Sequence, residues 1–121
     1  FGDQQADIRL AQAEALKEVL VEEILPYASG PVILAGDFNT SQTSQPVGLF
    51  LADGWTETFT HLHPDQPGYT YPAGNAKAKI DHLLLFDASF QTILAAEVVL
   101  DQVVEGLYPS DHYGIAAIFE F

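Results

Sequence analysis

The chain has 121 residues, of which 48% are hydrophobic and 12% aromatic, so it is long enough for one small globular domain and too apolar for disorder. It carries 17 acidic residues against 4 basic ones, a formal net charge of −13, which disfavours binding along a nucleic-acid backbone and favours divalent cations. Cysteine is absent, which excludes disulfides and thiolate chemistry, and no apolar run approaches the roughly 20 residues of a membrane span.

The chain begins with Phe1-Gly2-Asp3 and contains no methionine, so we expect a processed product or an excised part of a longer protein. No signal peptide is visible, and the sequence leaves the cellular compartment open.

The first predicted element is an amphipathic helix from near Asp7 to Pro26. Asp7 is a suitable N-cap, the residues before it are expected to fray, and Pro26 with Gly30 ends the helix. Arg9 and Gln12 fall mostly on the polar side and are interpreted as surface or packing residues. The apolar residues at helical spacing are Ile8, Ala11, Ala15, Leu16, Val19 and Leu20.

A short strand over Val32–Ala35 follows, and its apolar residues predict burial on both faces in the interior of a sheet. After Gly36 come Asp37 and Asn39, one residue apart. If the segment stays extended, both polar side chains point to one place, where α/β sheets bind ligands. The alternative is an Asp/Asn turn with local backbone hydrogen bonds, and the two interpretations have about equal weight at this point.

Further along, a helix is predicted over 47–53, ended by Gly54, and a short strand over 55–59. His61, His63 and Asp65 alternate in a stretch that contains proline and glycine. Such a group could bind a metal, although a solvated loop is the favoured interpretation.

The second half of the chain contains a turn at 70–75 and a mostly apolar strand over 79–86 that includes Asp81. A carboxylate in such a strand is costly to bury unless a partner neutralises it. His112, just before the closing strand over 115–121, can be that partner, because a carboxylate that orients an imidazole is a recurrent catalytic device. The remaining predictions are a strand over 90–100 and a loop over 101–108.

Three motifs, taken in order, carry a resemblance to a known family. They are Gly36-Asp37-Phe38-Asn39, Lys79-Ile80-Asp81-His82 and Ser110-Asp111-His112, and together they resemble the endonuclease/exonuclease/phosphatase superfamily. This superfamily contains deoxyribonuclease I, abasic-site endonucleases, neutral sphingomyelinases and inositol polyphosphate 5-phosphatases.

The resemblance implies an α/β (α+β) fold, with a mixed or antiparallel sheet covered by helices. Residues 1–121 form a single unit that resembles the C-terminal half of a four-layer, DNase I-like sandwich. The N-terminal half of such a domain carries an Asn, a metal-binding Glu and a His that cannot be mapped onto this chain. We therefore expect the isolated 121 residues to be nearly inactive.

The resemblance also implies residue roles. Asp37 orients the attacking water and touches a metal, and Asn39 hydrogen-bonds the phosphate or the nucleophile. Asp81 pairs with His112, which stabilises charge on the phosphoryl oxygens and contacts the substrate. Asp111 helps to hold Mg²⁺ or Mn²⁺.

Two further positions follow from the same resemblance. The turn that contains Thr70 and Tyr71 lines the substrate cleft. Lys79 stands where the family usually has Arg, which retains the charge and loses the fork geometry for a bidentate contact.

The implied function is a divalent-metal-dependent phosphoesterase. The charge balance favours a lipid headgroup or a small phosphoester over nucleic acid as the substrate. The expected partners are the N-terminal half of the same domain and, through an uncovered apolar sheet face, a second copy of the chain. The alternatives are a non-catalytic interaction module on the same fold and a generic α/β domain with Asp-rich turns.

Overall fold

The structure is a computed structural model that describes residues 3–87 and 92–121. Three α-helices and five strands follow one another along these residues. They are α1 (Asp3–Val19), β1 (Ile33–Asp37), α2 (Gln45–Ala52), β2 (Trp55–Glu57), α3 (Thr58–Leu62), β3 (Asp81–Phe86), β4 (Thr92–Val99) and β5 (Gly114–Glu120).

The first helix begins earlier than the sequence predicts. α1 starts at Asp3, so Asp7 lies inside the helix, and its prediction as an N-cap is wrong. Residues 4–6 are glutamines and an alanine, which favour helix, and no glycine or proline separates them from Asp7. The helical path continues through a π-turn over Leu20–Ile24 and a 3₁₀ turn over Leu25–Tyr27, which places its end close to the predicted one.

Three strands form an antiparallel sheet in the order β1-β3-β2. The central strand β3 is buried on both faces, because Leu84 and Leu85 point to opposite sides and neither is exposed. β1 lies at an edge, and Ile33 is 47% exposed. The prediction that β1 is an interior strand is therefore wrong. An apolar run favours burial, but the position of the strand in the sheet decides whether both faces are covered.

The second sheet consists of β4 and β5, also antiparallel. α3 contacts both β3 and β4 and so connects the two sheets. Leu94 on β4 and Ile118 on β5 are 54% and 60% exposed, so part of this sheet presents apolar side chains to solvent.

The core lies where α1 and α2 meet the three-stranded sheet. Phe50 of α2 is fully buried, and its ring meets those of Phe38 and Trp55 edge to face at centroid distances of 5.9 and 6.2 Å. α2 can begin with proline at position 46 because the first helical turn needs no backbone donor there. The buried residues of this cluster are Ala13, Leu20, Phe50, Trp55 and Leu84.

The other predicted elements agree with the structure to within a few residues. α2 matches the predicted helix, and β5 matches the closing strand. The predicted strand over 55–59 is shorter because Thr58 and Phe59 begin α3. The predicted strand over 90–100 corresponds to β4, and its first two positions lie outside the described residues. Within the described ranges, the structure contains no helix that is long and apolar enough to cross a membrane.

Replacing Phe50 with alanine should lower the free energy of unfolding by about 3–5 kcal/mol, because the buried ring leaves a cavity that the helix and sheet cannot close. Leu51, the next residue on α2, is 40% exposed, and Leu51→Ala should cost less than about 1 kcal/mol. Urea denaturation of both variants measures the difference. Equal losses would contradict a core centred on Phe50.

Candidate active site

The site begins with the pairing of β1 and β3. Asp37, the last residue of β1, lies directly opposite Asp81, the first residue of β3. The pairing continues one residue further, where the N–H of Phe38 donates to the carbonyl of Ile80 at 2.8 Å. Two carboxylates that are 44 positions apart in the numbering thus become neighbours at one end of the sheet.

His112 completes the cluster from the loop before β5. Its Nδ1–H donates to Asp81 Oδ2 at 2.8 Å, and its Nε2 lies 3.9 Å from Asp37 Oδ2. The predicted pairing of Asp81 with His112 is thereby confirmed as a contact. The imidazole stands between the two carboxylates, with its side chain 26% exposed.

The electrostatic environment favours the cationic form of His112. The hydrogen bond to Asp81 raises the pKa of His112, partial burial lowers it by less, and the negative charges of Asp81, Asp37 and Asp111 add to the increase. A protonated ring donates from both nitrogens, so Nδ1–H can hold Asp81 while Nε2–H faces Asp37.

At Asn39 the structure supports the turn interpretation of the motif. Its φ of 52° is left-handed, and its N–H donates to Asp37 Oδ1 at 2.8 Å, which is the local Asp/Asn turn. The extended geometry assumed for the alternative ends at Asp37. The turn occupies Oδ1 and leaves Oδ2 towards His112, so it orients the carboxylate.

Asp37 and Asn39 line a common cavity of about 260 Å³. Asp81 and His112 do not line this cavity, so the expectation that Asp37 and Asn39 share a cleft with that pair stays a prediction. Arg9 and Gln12 of α1 line the same cavity, although the sequence analysis interpreted them as surface or packing residues. A helix and a strand edge that are separate in sequence form this cavity, so no local pattern indicates it.

The two residues of the 70–75 turn that were expected to contact substrate differ in exposure. Tyr71 is 38% exposed, and its ring lies 4.8 Å from the ring of His112 between centroids, at 44°. Thr70 has no exposed surface, and its Oγ1 lies 3.3 and 3.4 Å from the backbone nitrogens of Ile80 and Asp81. Thr70 therefore faces the protein interior, while Tyr71 borders the site.

Asp111 is exposed, and Ser110 Oγ donates to its Oδ1 at 3.4 Å. Its charge contributes to the raised pKa of His112. Asp111 is not a member of the cluster formed by Asp37, Asp81 and His112, in which one ligand atom from each residue lies within 4.8 Å of the others. Its predicted role as a metal ligand stays a prediction.

The carboxylate oxygens of Asp37 and Asp81 are ligands of the kind that a hard cation prefers. Mg²⁺ prefers carboxylates and water, and one or two carboxylates suffice. A metal ligand must be deprotonated, and the raised pKa of His112 disfavours the neutral imidazole that a metal would need. Asp37 is the exposed carboxylate of the cluster, which makes it accessible to such an ion. The residues therefore fit Mg²⁺ or Mn²⁺ better than a metal that selects imidazole.

Beneath the cluster lies a buried ion pair that the sequence analysis did not identify. Lys79 and Glu57 are 2% and 4% exposed, and Lys79 Nζ lies 3.1 Å from Glu57 Oε1. Lys79 Nζ also donates to the backbone carbonyl of Asp81 at 3.1 Å. Lys79 thus faces the interior, where its charge is paired with that of Glu57.

His82 is buried next to this ion pair. Its Nε2–H donates to the carbonyl of Thr40 at 2.8 Å, and its Nδ1 lies 4.0 Å from Glu57 Oε1. Burial lowers the pKa of His82, against a smaller opposing effect of the Thr40 hydrogen bond. The lowered pKa favours the neutral ring, so His82 is a structural histidine of the interior.

The His61–Asp65 stretch shows no metal site in the described part of the chain. His63 Nε2–H donates to the carbonyl of Ala96 at 2.8 Å, and its ring packs on Phe59 at 4.9 Å between centroids. The described residues contain one cluster with metal-ligand spacing, which is the one at Asp37. His61 lies in α3 and His63 is half-buried, so the interpretation of the stretch as a solvated loop holds only for the exposed part that contains Asp65.

The fold consists of antiparallel sheets flanked by helices, and the carboxylates and the imidazole lie at the strand ends. This arrangement belongs to the DNase I-like class of folds. A model of the Endonuclease/Exonuclease/phosphatase family matches residues 7–112, and the chain belongs to this family. The resemblance carried by the three motifs is confirmed. A comparison with curated protein sequences finds no match.

Solved structures share this fold over nearly the whole chain. TDP2 from D. rerio, complexed with a single-strand DNA product, has a TM-score of 0.77 and 20% identity over 100% of this chain and 53% of its own. A mannosyl-6-phosphatase from Bacteroides thetaiotaomicron has a TM-score of 0.72 and 23% identity, with 100% and 48% covered. The 3′ phosphatase NExo from Neisseria, bound to a product DNA hairpin, has a TM-score of 0.70 and 20% identity, with 93% and 52% covered. The chain therefore spans about half the length of these structures.

Asp81→Asn should lower the pKa of His112 towards its ordinary value of 6.5, because a neutral amide oxygen accepts a weaker hydrogen bond than the carboxylate and the largest nearby charge effect is removed. Asp111→Asn should lower it by less, and Asp65→Asn in the distant loop should leave it unchanged. NMR titration of the His112 ring protons measures all three. A pKa of His112 that Asp81→Asn does not move would contradict the pairing.

The same pairing predicts how stability depends on pH. A folded-state pKa above the unfolded one contributes stability that is fully present below pH 6.5 and is lost as the pH rises through the folded value. Asp81→Asn should therefore cost more stability below pH 6.5 than in alkaline solution.

Proposed function

We propose that this chain carries the acid–base part of a divalent-metal-dependent phosphoester hydrolase. The observation that supports it most is the row in which Asp81 bonds His112 and His112 faces Asp37. Attack of water on a phosphoester needs an oriented nucleophile and preorganised donors for the negative charge that develops on oxygen. This row offers a carboxylate for the first need and a cationic imidazole for the second.

Each residue has a distinct part in this proposal. Asp37 accepts a hydrogen bond from the attacking water through Oδ2 and so orients it, because its Oδ1 is held by the Asn39 N–H. Asp81 keeps His112 oriented and favours its charged form. His112 then donates from Nε2 to a phosphoryl oxygen as negative charge builds there. The side-chain amide of Asn39 hydrogen-bonds the phosphate, while its backbone N–H stays bonded to Asp37.

The metal in this proposal is Mg²⁺ or Mn²⁺, held by Asp37 and Asp111. When bound, such an ion stabilises the developing charge and lowers the pKa of a bound water. The chain itself has few cations for this purpose, with 4 basic residues against 17 acidic ones.

For the substrate we propose a lipid headgroup or a small phosphoester. Two of the basic residues already have acidic partners within the chain, since Lys79 is buried against Glu57 and the half-exposed Lys17 bonds Asp53 at 2.8 Å. Nucleic-acid backbones are bound by clusters of exposed cations, which this charge balance does not favour. The similar structures include proteins named for a small phosphoester and for nucleic acid, namely the mannosyl-6-phosphatase and the 3′ phosphatase bound to a DNA hairpin.

For the partner we propose an N-terminal half of the same domain. The solved structures that the chain resembles are about twice its length. In this proposal the other half supplies the Asn, the metal-binding Glu and the His that the family carries upstream of the first helix. The cluster at Asp37 then forms one side of the complete site.

Hydrolysis of bis-p-nitrophenyl phosphate with Mg²⁺ or Mn²⁺ tests this function. The 121-residue chain alone should be slower than the full-length parent protein by at least about 10²–10³, the typical effect of losing one electrostatic stabiliser. In the parent protein, chelation of the metal or Asp37→Ala should abolish turnover, and Asp65→Ala should leave it unchanged.

Two outcomes of this assay would contradict the proposal. Robust turnover by the 121-residue chain that Asp37→Ala abolishes would show that no second half is needed. A parent protein that folds, binds the metal and hydrolyses no phosphoester would support the non-catalytic interaction module instead.

We also propose that the isolated chain self-associates through its exposed apolar strand residues. Leu94 and Ile118 on the paired strands of the second sheet are 54% and 60% exposed, and Ile33 at the edge of the first sheet is 47% exposed. Monomers rarely leave large contiguous apolar patches open. The net charge of −13 opposes association, but salt screens it beyond about 10 Å.

Sedimentation equilibrium at about 0.15 M salt should therefore show a dimer that Ile118→Glu weakens. Val19→Glu, which adds the same charge to an exposed helix position, is the matched control. A wild-type monomer of 13.2 kDa at micromolar concentration would contradict the proposal.

A further inference from the structure

The contact between Asp81 and His112 depends on two backbone segments that are distant in sequence. Asp81 begins β3, and His112 belongs to the loop before β5. Neither strand pairs with the other, because β3 belongs to the three-stranded sheet and β5 pairs with β4. Other contacts must therefore set the distance between the carboxylate and the imidazole.

Thr70 touches both segments. Its Oγ1 accepts from the N–H groups of Ile80 and Asp81 at 3.3 and 3.4 Å, and its carbonyl accepts from the N–H of Tyr113 at 2.7 Å. The first two contacts hold the residue that carries the carboxylate, and the third holds the neighbour of His112. One side chain and one carbonyl thus connect the two halves of the catalytic pair.

The hydroxyl of Thr70 uses its full bonding capacity. A hydroxyl has one donor and two acceptor positions. Oγ1 donates to the carbonyl of Ala78 at 3.5 Å and accepts the two N–H groups, and the residue has no exposed surface. A side chain that is fully buried and fully bonded to backbone is not placed to contact a substrate. Thr70 therefore needs a role other than the substrate contact that the sequence predicted.

A second contact holds Asp81 from its other side. Lys79 Nζ donates to the Asp81 carbonyl at 3.1 Å while Glu57 and the Phe59 ring, whose centroid lies 5.3 Å away, hold the lysine. The backbone of Asp81 is therefore bonded at its N–H by Thr70 and at its carbonyl by Lys79. The carboxylate itself remains available for His112.

We propose that Thr70 is a positioning residue that sets the Asp81–His112 contact, and not a substrate-binding residue. The inference rests on the proposed function for its catalytic meaning, because a catalytic pair is useful only when its geometry is maintained. Misplacement of a catalytic group by about 1 Å can cost about 10²-fold in rate. The hydroxyl is the part that acts, since the carbonyl contact to Tyr113 survives any substitution that keeps the backbone in place.

Thr70→Val removes the hydroxyl and keeps the shape of the side chain. Thr70→Ser keeps the hydroxyl and should restore the wild-type behaviour. Thr58→Val is the matched control, because Thr58 is equally buried and its hydroxyl donates to the carbonyl of Leu83 on the same strand at 3.0 Å. All three variants can be made in the 121-residue chain and in the full-length parent protein.

The first readout is the ¹⁵N shifts of the His112 ring at alkaline pH, where the neutral ring carries one proton. In the wild-type chain the Asp81 contact should hold that proton on Nδ1. Thr70→Val should move the Nδ1 and Nε2 shifts towards each other as the second tautomer becomes populated. Thr70→Ser and Thr58→Val should retain the wild-type shifts.

The second readout is turnover by the parent protein, where Thr70→Val should lower kcat by up to about 10²-fold with little change in KM. The NMR readout needs no turnover, so failure of the proposed function and failure of the positioning role are separable. A Thr70→Val chain with wild-type ring shifts would overturn the inference. Equal ring-shift changes in Thr58→Val would also overturn it, because they would indicate a general loosening of β3. A raised KM with unchanged kcat in Thr70→Val would overturn it as well, because it would indicate a substrate contact.

Discussion

The antiparallel register of β1 with β3 is the constraint on which the rest of the site depends. It places the last residue of one strand, Asp37, opposite the first residue of the other, Asp81. A slip of one residue would turn the carboxylates to opposite faces of the sheet. The pairing that holds the buried central strand in the core therefore also sets the geometry of the exposed cluster.

Two histidines near this register have opposite electrostatic environments. The pKa of His112 is raised chiefly by its hydrogen bond to Asp81, whereas the pKa of His82 is lowered chiefly by burial. One ring is therefore suited to carry charge between the carboxylates of Asp37 and Asp81, and the other is suited to stay neutral in the interior. The Glu57–Lys79 ion pair lies next to His82 in the interior, and neither of its charges is exposed to solvent.

The local elements were largely predictable from the sequence. Helical spacing between Ile8 and Leu20 predicted α1, and the motifs that end in Asn39 and His112 placed polar groups just outside strands. These predictions succeed because side-chain periodicity and glycine or proline punctuation act over a few residues. The errors fall where the surrounding chain determines the outcome. Asp7 lies inside its helix because the residues before it are also helical, and the apolar run of β1 is exposed because the strand lies at the edge of its sheet.

The sequence by itself determined the family, the strand-end motifs and the partner that Asp81 requires, because a carboxylate in an apolar strand needs neutralisation wherever it lies. Only the tertiary structure decided that β3 is the central strand, that Thr70 is buried, and that Lys79 bonds Glu57. These facts depend on which distant segments pack together. Burial and partnership are properties of the packed chain, and no local pattern of residue types contains them.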